Sequence, residues 1–200
     1  MKRWMLFAGL LVFLIVLAAC GNDGADETKD NQDNNADDAV EEENQEAKTE
    51  DEAVQVQLNN SDGETVGTAM LEEGEDGVNI RVEATNLPEG PHGFHIHEKA
   101  VCEEPDFESA GGHFNPEDTN HGFDDPDGPH AGDLPNLEVG EDGSVNEDFV
   151  VEGVTLEKGK DNSLLDGDGT SLVIHADADD NKSQPSGDAG DRIACGAIEE

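Results

Sequence analysis

The sequence predicts an all-β fold, a sandwich or barrel of many short strands. Three observations predict it. Apolar and polar residues alternate with period two in several runs after residue 53. Clusters of Gly, Pro, Asp and Asn separate those runs, as turns do. Helical periodicity is absent throughout.

The elements follow in order. AVQVQL, from Ala53, alternates as a half-buried strand does, and SDG after it marks a turn. ETVGTAMLEE and GVNIRVEATN read as the next two strands, parted by EGEDG. LPEGP turns the chain into a strand over HGFHIHE. A long loop rich in Gly, Pro and Asp runs to Asp133. SVNEDFVVEGVTL, SLVIHA and RIACGAI then read as the remaining strands.

Residues 1–52 read differently. Lys2 and Arg3 precede an apolar run, Trp4 to Leu17, which is short for a membrane span and suited to a signal peptide. The run ends Leu17-Ala18-Ala19-Cys20, which resembles a bacterial lipobox. That resemblance implies a signal peptide over 1–19 and a diacylglycerol on Cys20, whose two acyl chains suffice for stable anchoring. Ordinary secretory cleavage beside a spare cysteine is the alternative. Residues 20–52 then form an acidic linker with almost nothing apolar, expected to stay disordered. As a neutral coil it would span about 30 Å, and like-charge repulsion extends it.

The chain of 200 residues carries 50 acidic and 10 basic side chains, a net charge of -40. Such a balance argues against nucleic acid as a partner and against electrostatic docking on anionic lipid.

Six of the seven histidines fall between residues 92 and 130, and the seventh is His175. His95 and His97 are two apart on a predicted strand, so they share a face and suit one metal ion; two exposed polar positions would give the same pattern. His113, His121, His130 and Asp133 lie in the long loop, and three imidazoles with one carboxylate suit zinc. A loop this long inside a domain needs something to order it.

GFHIHE, SAGGHFNP, HAGDLPN, LVIHADADD and GDRIACGAI, in that order, resemble the copper/zinc superoxide dismutase family from about Ala53 to Ile198. The resemblance implies an eight-stranded Greek-key barrel with two long functional loops over 53–200. It implies copper held by His95, His97, His113 and His175, and zinc held by His113, His121, His130 and Asp133, with His113 bridging. Asp179 then takes the carboxylate role behind His95 and His121, and His92 buttresses the copper strand. Arg192 guides and holds the anionic substrate. Cys102 and Cys195, an even pair in an exported chain, are implied to form a disulfide.

The implied reaction is disproportionation of superoxide to dioxygen and hydrogen peroxide. Two other classes compete with it. One is a lipoprotein that buffers copper or zinc without significant turnover. The other is an acidic calcium module at DDPDGPHAGD and LLDGDGTS, whose spacing does not fit an EF-hand. The oligomeric state is not legible in the sequence.

Overall fold

The structure, a computed structural model, describes residues 53–199. The expected signal peptide, Cys20 and the expected acidic linker lie outside those residues. Strand β1 spans Val54–Asn60, β2 Thr65–Glu73, β3 Gly77–Ala84, β4 Gly90–His92 and β5 Phe94–His97. β6 spans Leu137–Val139, β7 Val145–Glu152, β8 Thr170–His175 and β9 Arg192–Ile198. One turn of 3-10 helix, Glu108–Ala110, is the only helical element among the described residues.

All ladders are antiparallel. Seven strands form one sheet in the order β5-β8-β9-β1-β2-β3-β7, and β4 pairs with β6 in a second. β4 and β5 are one run broken at Gly93, so the expected eight-stranded barrel appears as eight segments. The break has a cause. Gly93 N–H donates to Asp177 O (2.8 Å) and Gly93 O accepts from His175 N–H (2.8 Å), so the run leaves β6 and joins β8 there. Between β6 and β7 the circuit has no backbone ladder; Glu138 N–H donates to the Glu147 carboxylate at 3.1 Å. The β3–β4 and β7–β8 connections cross between non-neighbouring strands, as a Greek-key barrel requires.

Sequence alternation fixes which face is inside. β3 buries Val78, Ile80, Val82 and Ala84 and exposes Asn79, Arg81 and Glu83. β5 and β8 depart from this pattern because both of their faces are covered. Phe94, Ile96, Leu172 and Ile174 point into the main core. His95, His97 and His175 occupy the opposite face and are also buried.

Two sequence expectations shift. The strand expected over residues 144–156 ends at Glu152, where Gly153 turns with φ 77°. β6 was not expected, because three residues carry too little alternation to register.

Cys102 and Cys195 are joined in a disulfide, with Cα atoms 5.7 Å apart. It fixes the loop after β5 to β9, and Cys195 packs with Phe107, Ala110 and Val173 beneath that loop. The bridge spans 93 residues, so in the chain-entropy view it removes on the order of 4 to 5 kcal/mol of unfolded-state entropy. Cys102→Ser is therefore expected to lower stability by about 2–5 kcal/mol. Guanidinium unfolding measures this, and a thiol titration of the unfolded, unreduced parent should find neither sulfur reactive.

Candidate metal centre

The outer edge of β5 is not paired with a strand. It is paired with two loop backbones. Ile96 N–H donates to Gly132 O, Gly132 N–H to Phe114 O and Phe114 N–H to Ile96 O, each at 2.8 Å. These three bonds close a ring that draws residues 95–97, 113 and 133 together. Only glycine fits at 132, because a Cβ there would collide with the Ile96 carbonyl and crowd the Phe114 backbone.

Two sets of donors result. One joins His95, His97, His113 and His175; the other joins His113, His121, His130 and Asp133. Within each set the donor atoms lie within 4.8 Å of one another, and all seven residues are buried. These are the only such groups among the described residues, so DDPDGPHAGD and LLDGDGTS form no separate cation cluster. His113 belongs to both sets.

The hydrogen bonds of each ring decide which nitrogen is left over. His95 Nε2 faces Asp179 Oδ2 at 2.7 Å, His97 Nδ1 faces Gly111 O at 3.0 Å and His175 Nδ1 faces Gly190 O at 3.3 Å. Their remaining nitrogens, His95 Nδ1, His97 Nε2 and His175 Nε2, are buried with no partner, and so is His113 Nε2. Four buried imidazole nitrogens without partners in one place are costly unless something binds them.

The second set is spaced for a small ion. Asp133 Oδ1 lies 2.8, 3.0 and 3.2 Å from Nδ1 of His113, His121 and His130. His113 Nδ1 and His130 Nδ1 are 3.5 Å apart. Four-coordinate zinc with bonds of about 2.0–2.1 Å sets its donors roughly 3.3 Å apart. The other carboxylate oxygen, Asp133 Oδ2, accepts from the backbone N–H of Gly122 (2.8 Å) and His130 (3.0 Å), which orients the side chain.

Asp179 joins the two sets, with Oδ2 on His95 and Oδ1 3.1 Å from His121 Nε2. Asn136 in turn clasps Asp179, accepting from its N–H (2.8 Å) and donating to its O (3.0 Å). Asn136 had no role in the sequence reading, although HAGDLPN ends on it. His92 binds no donor set. Its ring nitrogens face His175 O and Pro88 O, each at 2.8 Å, and so buttress the strand beside His175.

Arg192 pairs with His175 across the β8–β9 ladder, at a register shift. Its Nη1 donates to Phe107 O (2.6 Å) and its Nη2 to Gly111 O (2.7 Å). No carboxylate contacts it among the described residues. With His97, His113, His130 and His175 it lines a cleft of about 300 Å³.

The model of the family described as copper/zinc superoxide dismutase matches residues 65–198. The chain belongs to this family. A copper-zinc superoxide dismutase of Aquifex aeolicus is 51% identical over 140 residues, 70% of this chain and 83% of that one. A superoxide dismutase-like protein of Bacillus subtilis is 50% identical over 145 residues, 72% and 74% of the two chains. A crystal structure of a superoxide dismutase-like protein from Bacillus subtilis superposes with a TM-score of 0.71 at 49% identity, covering 72% of this chain and 97% of that one. The copper/zinc superoxide dismutase of Brucella abortus gives 0.60 at 32%, covering 74% and 100%.

The residues present fit both of the family's metals. An all-nitrogen set suits copper in either oxidation state, and three nitrogens with one carboxylate oxygen suit zinc. The electrostatics suit copper directly, while in the zinc set His121 binds an ion only by losing a proton. Burial pushes His95 down to about 4, His97 to about 2 and His175 to about 3, so these rings are neutral and able to ligate at neutral pH. Burial and the charges of neighbouring histidines also lower His130. Burial would lower His121 as well, but Asp133 and Asp179 outweigh it and raise the ring to about 9. Burial by itself would raise both carboxyls. Hydrogen bonds from His113 and His121 hold Asp133 far below the usual carboxylate range, and those from His121 and His95 do the same for Asp179.

These shifts set the pH behaviour of the metal-free protein. His95, His97 and His175 bind protons more readily unfolded, at about 6.5, than folded. Their contribution is full above 6.5 and is lost as pH falls, through about 4 for His95, about 3 for His175 and about 2 for His97. His121 has the opposite sign: its contribution is full below 6.5 and is lost as pH rises through about 9. The urea midpoint of the metal-free protein should peak near pH 6.5, with the steeper fall on the acid side. A midpoint that stays flat between pH 4 and 6.5 would exclude buried neutral imidazoles.

Proposed function

We propose that this chain disproportionates superoxide, two anions and two protons giving one dioxygen and one hydrogen peroxide, at a centre bridged by His113. One observation carries this reading. Four unpartnered imidazole nitrogens lie beside a cleft lined by an arginine that no carboxylate among the described residues contacts. Copper supplies the one-electron redox change there, and zinc supplies fixed charge.

The chain's own residues do the rest. His95, His97, His113 and His175 would hold the copper, and His113, His121, His130 and Asp133 would hold the zinc. Asp179 and Gly111 O fix the tautomers of His95 and His97 by accepting their other N–H. His113, which lines the cleft and whose Nε2 has no hydrogen-bond partner, is placed to carry a proton toward the substrate. Arg192 binds and orients the small anion with a planar donor array. Gly111 O accepts from both His97 and Arg192, so a single carbonyl sets the copper ligand and the anion site in register. A buffering role would have no use for an arginine held beside the open cleft.

The surrounding field is unusual for an anionic substrate. Residues 53–200 hold 36 of the 50 acidic and six of the 10 basic side chains, a net charge of −30. Arg81, Lys99, Lys160 and Lys182 each lie against a carboxylate. Lys182, the one basic residue in the loop from Asp177 to Asp191, is 3.2 Å from Asp124. Attraction is therefore local, at Arg192 and the metals, and acts against a repulsive exterior. Salt screens distant charges more than close ones, with a Debye length of ~10 Å at 0.1 M. In the copper- and zinc-loaded protein, the rate constant should stay flat or rise as ionic strength increases from a low value. Arg192→Ala should slow turnover at every salt concentration, by roughly tenfold if the contact is worth about 1.4 kcal/mol in the transition state. Pulse radiolysis measures both, and a steep fall with added salt would mean net long-range attraction.

We place the protein outside the cytoplasm, tethered to the bacterial membrane through lipid on Cys20. The lipobox-like Leu17-Ala18-Ala19-Cys20 supports this, and so does the Cys102–Cys195 disulfide, a bond suited to oxidising compartments. Cys20→Ala should leave unprocessed precursor or move the protein to the soluble fraction. A processed mutant that still sediments with membranes would count against the anchor.

A further inference from the structure

His121 is gripped from two sides. On the inner side its ring meets Asp133 and Asp179. On the outer side its backbone is held by Gln184, 63 residues downstream. His121 N–H donates to Gln184 Oε1 (2.9 Å) and Gln184 Nε2 donates to His121 O (2.8 Å). One side-chain amide thus pairs with one residue's backbone in both directions, as a strand neighbour would. Nε2 also lies 3.4 Å from Asp125 Oδ2 and 3.4 Å from Lys182 O.

We infer that Gln184 is a positioning residue for the zinc set, a latch that holds His121 in place and slows loss of the ion. The inference rests on the proposed zinc role of His113, His121, His130 and Asp133. Three observations carry it. First, the Gln184 pair is the one side-chain clamp on both backbone groups of a donor residue among the described residues. Second, the two loops touch at the next residue. Gly122 sits at φ 98°, and a Cβ there would collide with the Asn181 carbonyl. Third, the other link between these loop tips, Lys182 to Asp124, is an exposed pair whose side chains are 70% and 59% accessible. Such pairs hold little. The amide of Gln184 therefore carries the outer grip, while Asp179 carries the inner one.

Sequence offered no signal for this. Gln184 lies in an acidic, Pro-containing loop, and nothing local distinguishes it from a solvated residue. The consequence is kinetic. Opening the outer grip lets the His121 segment swing away from Asp133 without unfolding the barrel.

The test uses the copper- and zinc-loaded protein and follows zinc transfer to a chromogenic chelator. Gln184→Ala should release zinc about tenfold faster, within the range seen when groups behind metal ligands are removed. Lys182→Ala should change the rate less than twofold. With cobalt(II) in place of zinc, Gln184→Ala should alter the visible absorption of the ion, as a displaced His121 requires. The metal-free urea midpoint should stay close to that of the parent. An unchanged release rate and cobalt spectrum would overturn the latch. So would equal acceleration by Lys182→Ala, or a fall in metal-free stability large enough to account for the faster release. If the parent itself takes up neither zinc nor cobalt, the assignment of the zinc set fails, and that outcome is separate from failure of the latch.

Discussion

The ring of hydrogen bonds among Ile96, Gly132 and Phe114 is the constraint on which the centre depends. β5 is bound to β8 along one edge only, and its other edge would normally seek another strand. Two loop backbones take that place. Ile96 lies between His95 and His97, Phe114 follows His113 and Gly132 precedes Asp133. Backbone groups one residue from each donor are therefore fixed without using the donors themselves. Each such bond is worth only about 0.5–1.5 kcal/mol net, but leaving its groups buried and unpaired costs more. The long loop is held chiefly by that asymmetry.

From this ring the order spreads through acceptors that leave one ring nitrogen of His95, His97 and His175 without a partner. Asp179 ties the two sets together, and Asn136 ties Asp179 to the loop. Gly111 O ties His97 to Arg192, and the Cys102–Cys195 bridge fixes the segment that carries Gly111 to the strand that carries Arg192. Stability and chemistry share these residues. A change at the disulfide reaches Arg192 through one carbonyl, and a change at Asp179 reaches both donor sets at once.

The electrostatic arrangement inverts between inside and outside. The exterior is strongly negative, and four of the domain's basic side chains rest against carboxylates. Arg192 instead donates to neutral carbonyls, so its charge stays available to the cleft. Burial lowers its pKa without bringing it near neutrality, because guanidinium starts so high. The surface favours solubility, and the site alone favours the anion.

The residue order makes legible the strands whose two faces differ, as in β3, because alternation is local and covalently ordered. It also determined that His95 and His97 share a face, and its five motifs carried the barrel, the donor residues and the bridged cysteines through resemblance. It could not show β6, which is too short to alternate, nor the switch at Gly93, which depends on partners beyond residue 170. It could not show why β5 and β8 are buried on both faces, since loops distant in the chain cover them. Nor did it show Gly111 O, Gln184 or which nitrogen each histidine leaves free. Carbonyls are present at every residue and an amide side chain carries no periodic signal, so it takes the folded chain to bring Gly111 O to the His97 ring 14 residues away and Gln184 to the His121 backbone 63 residues away.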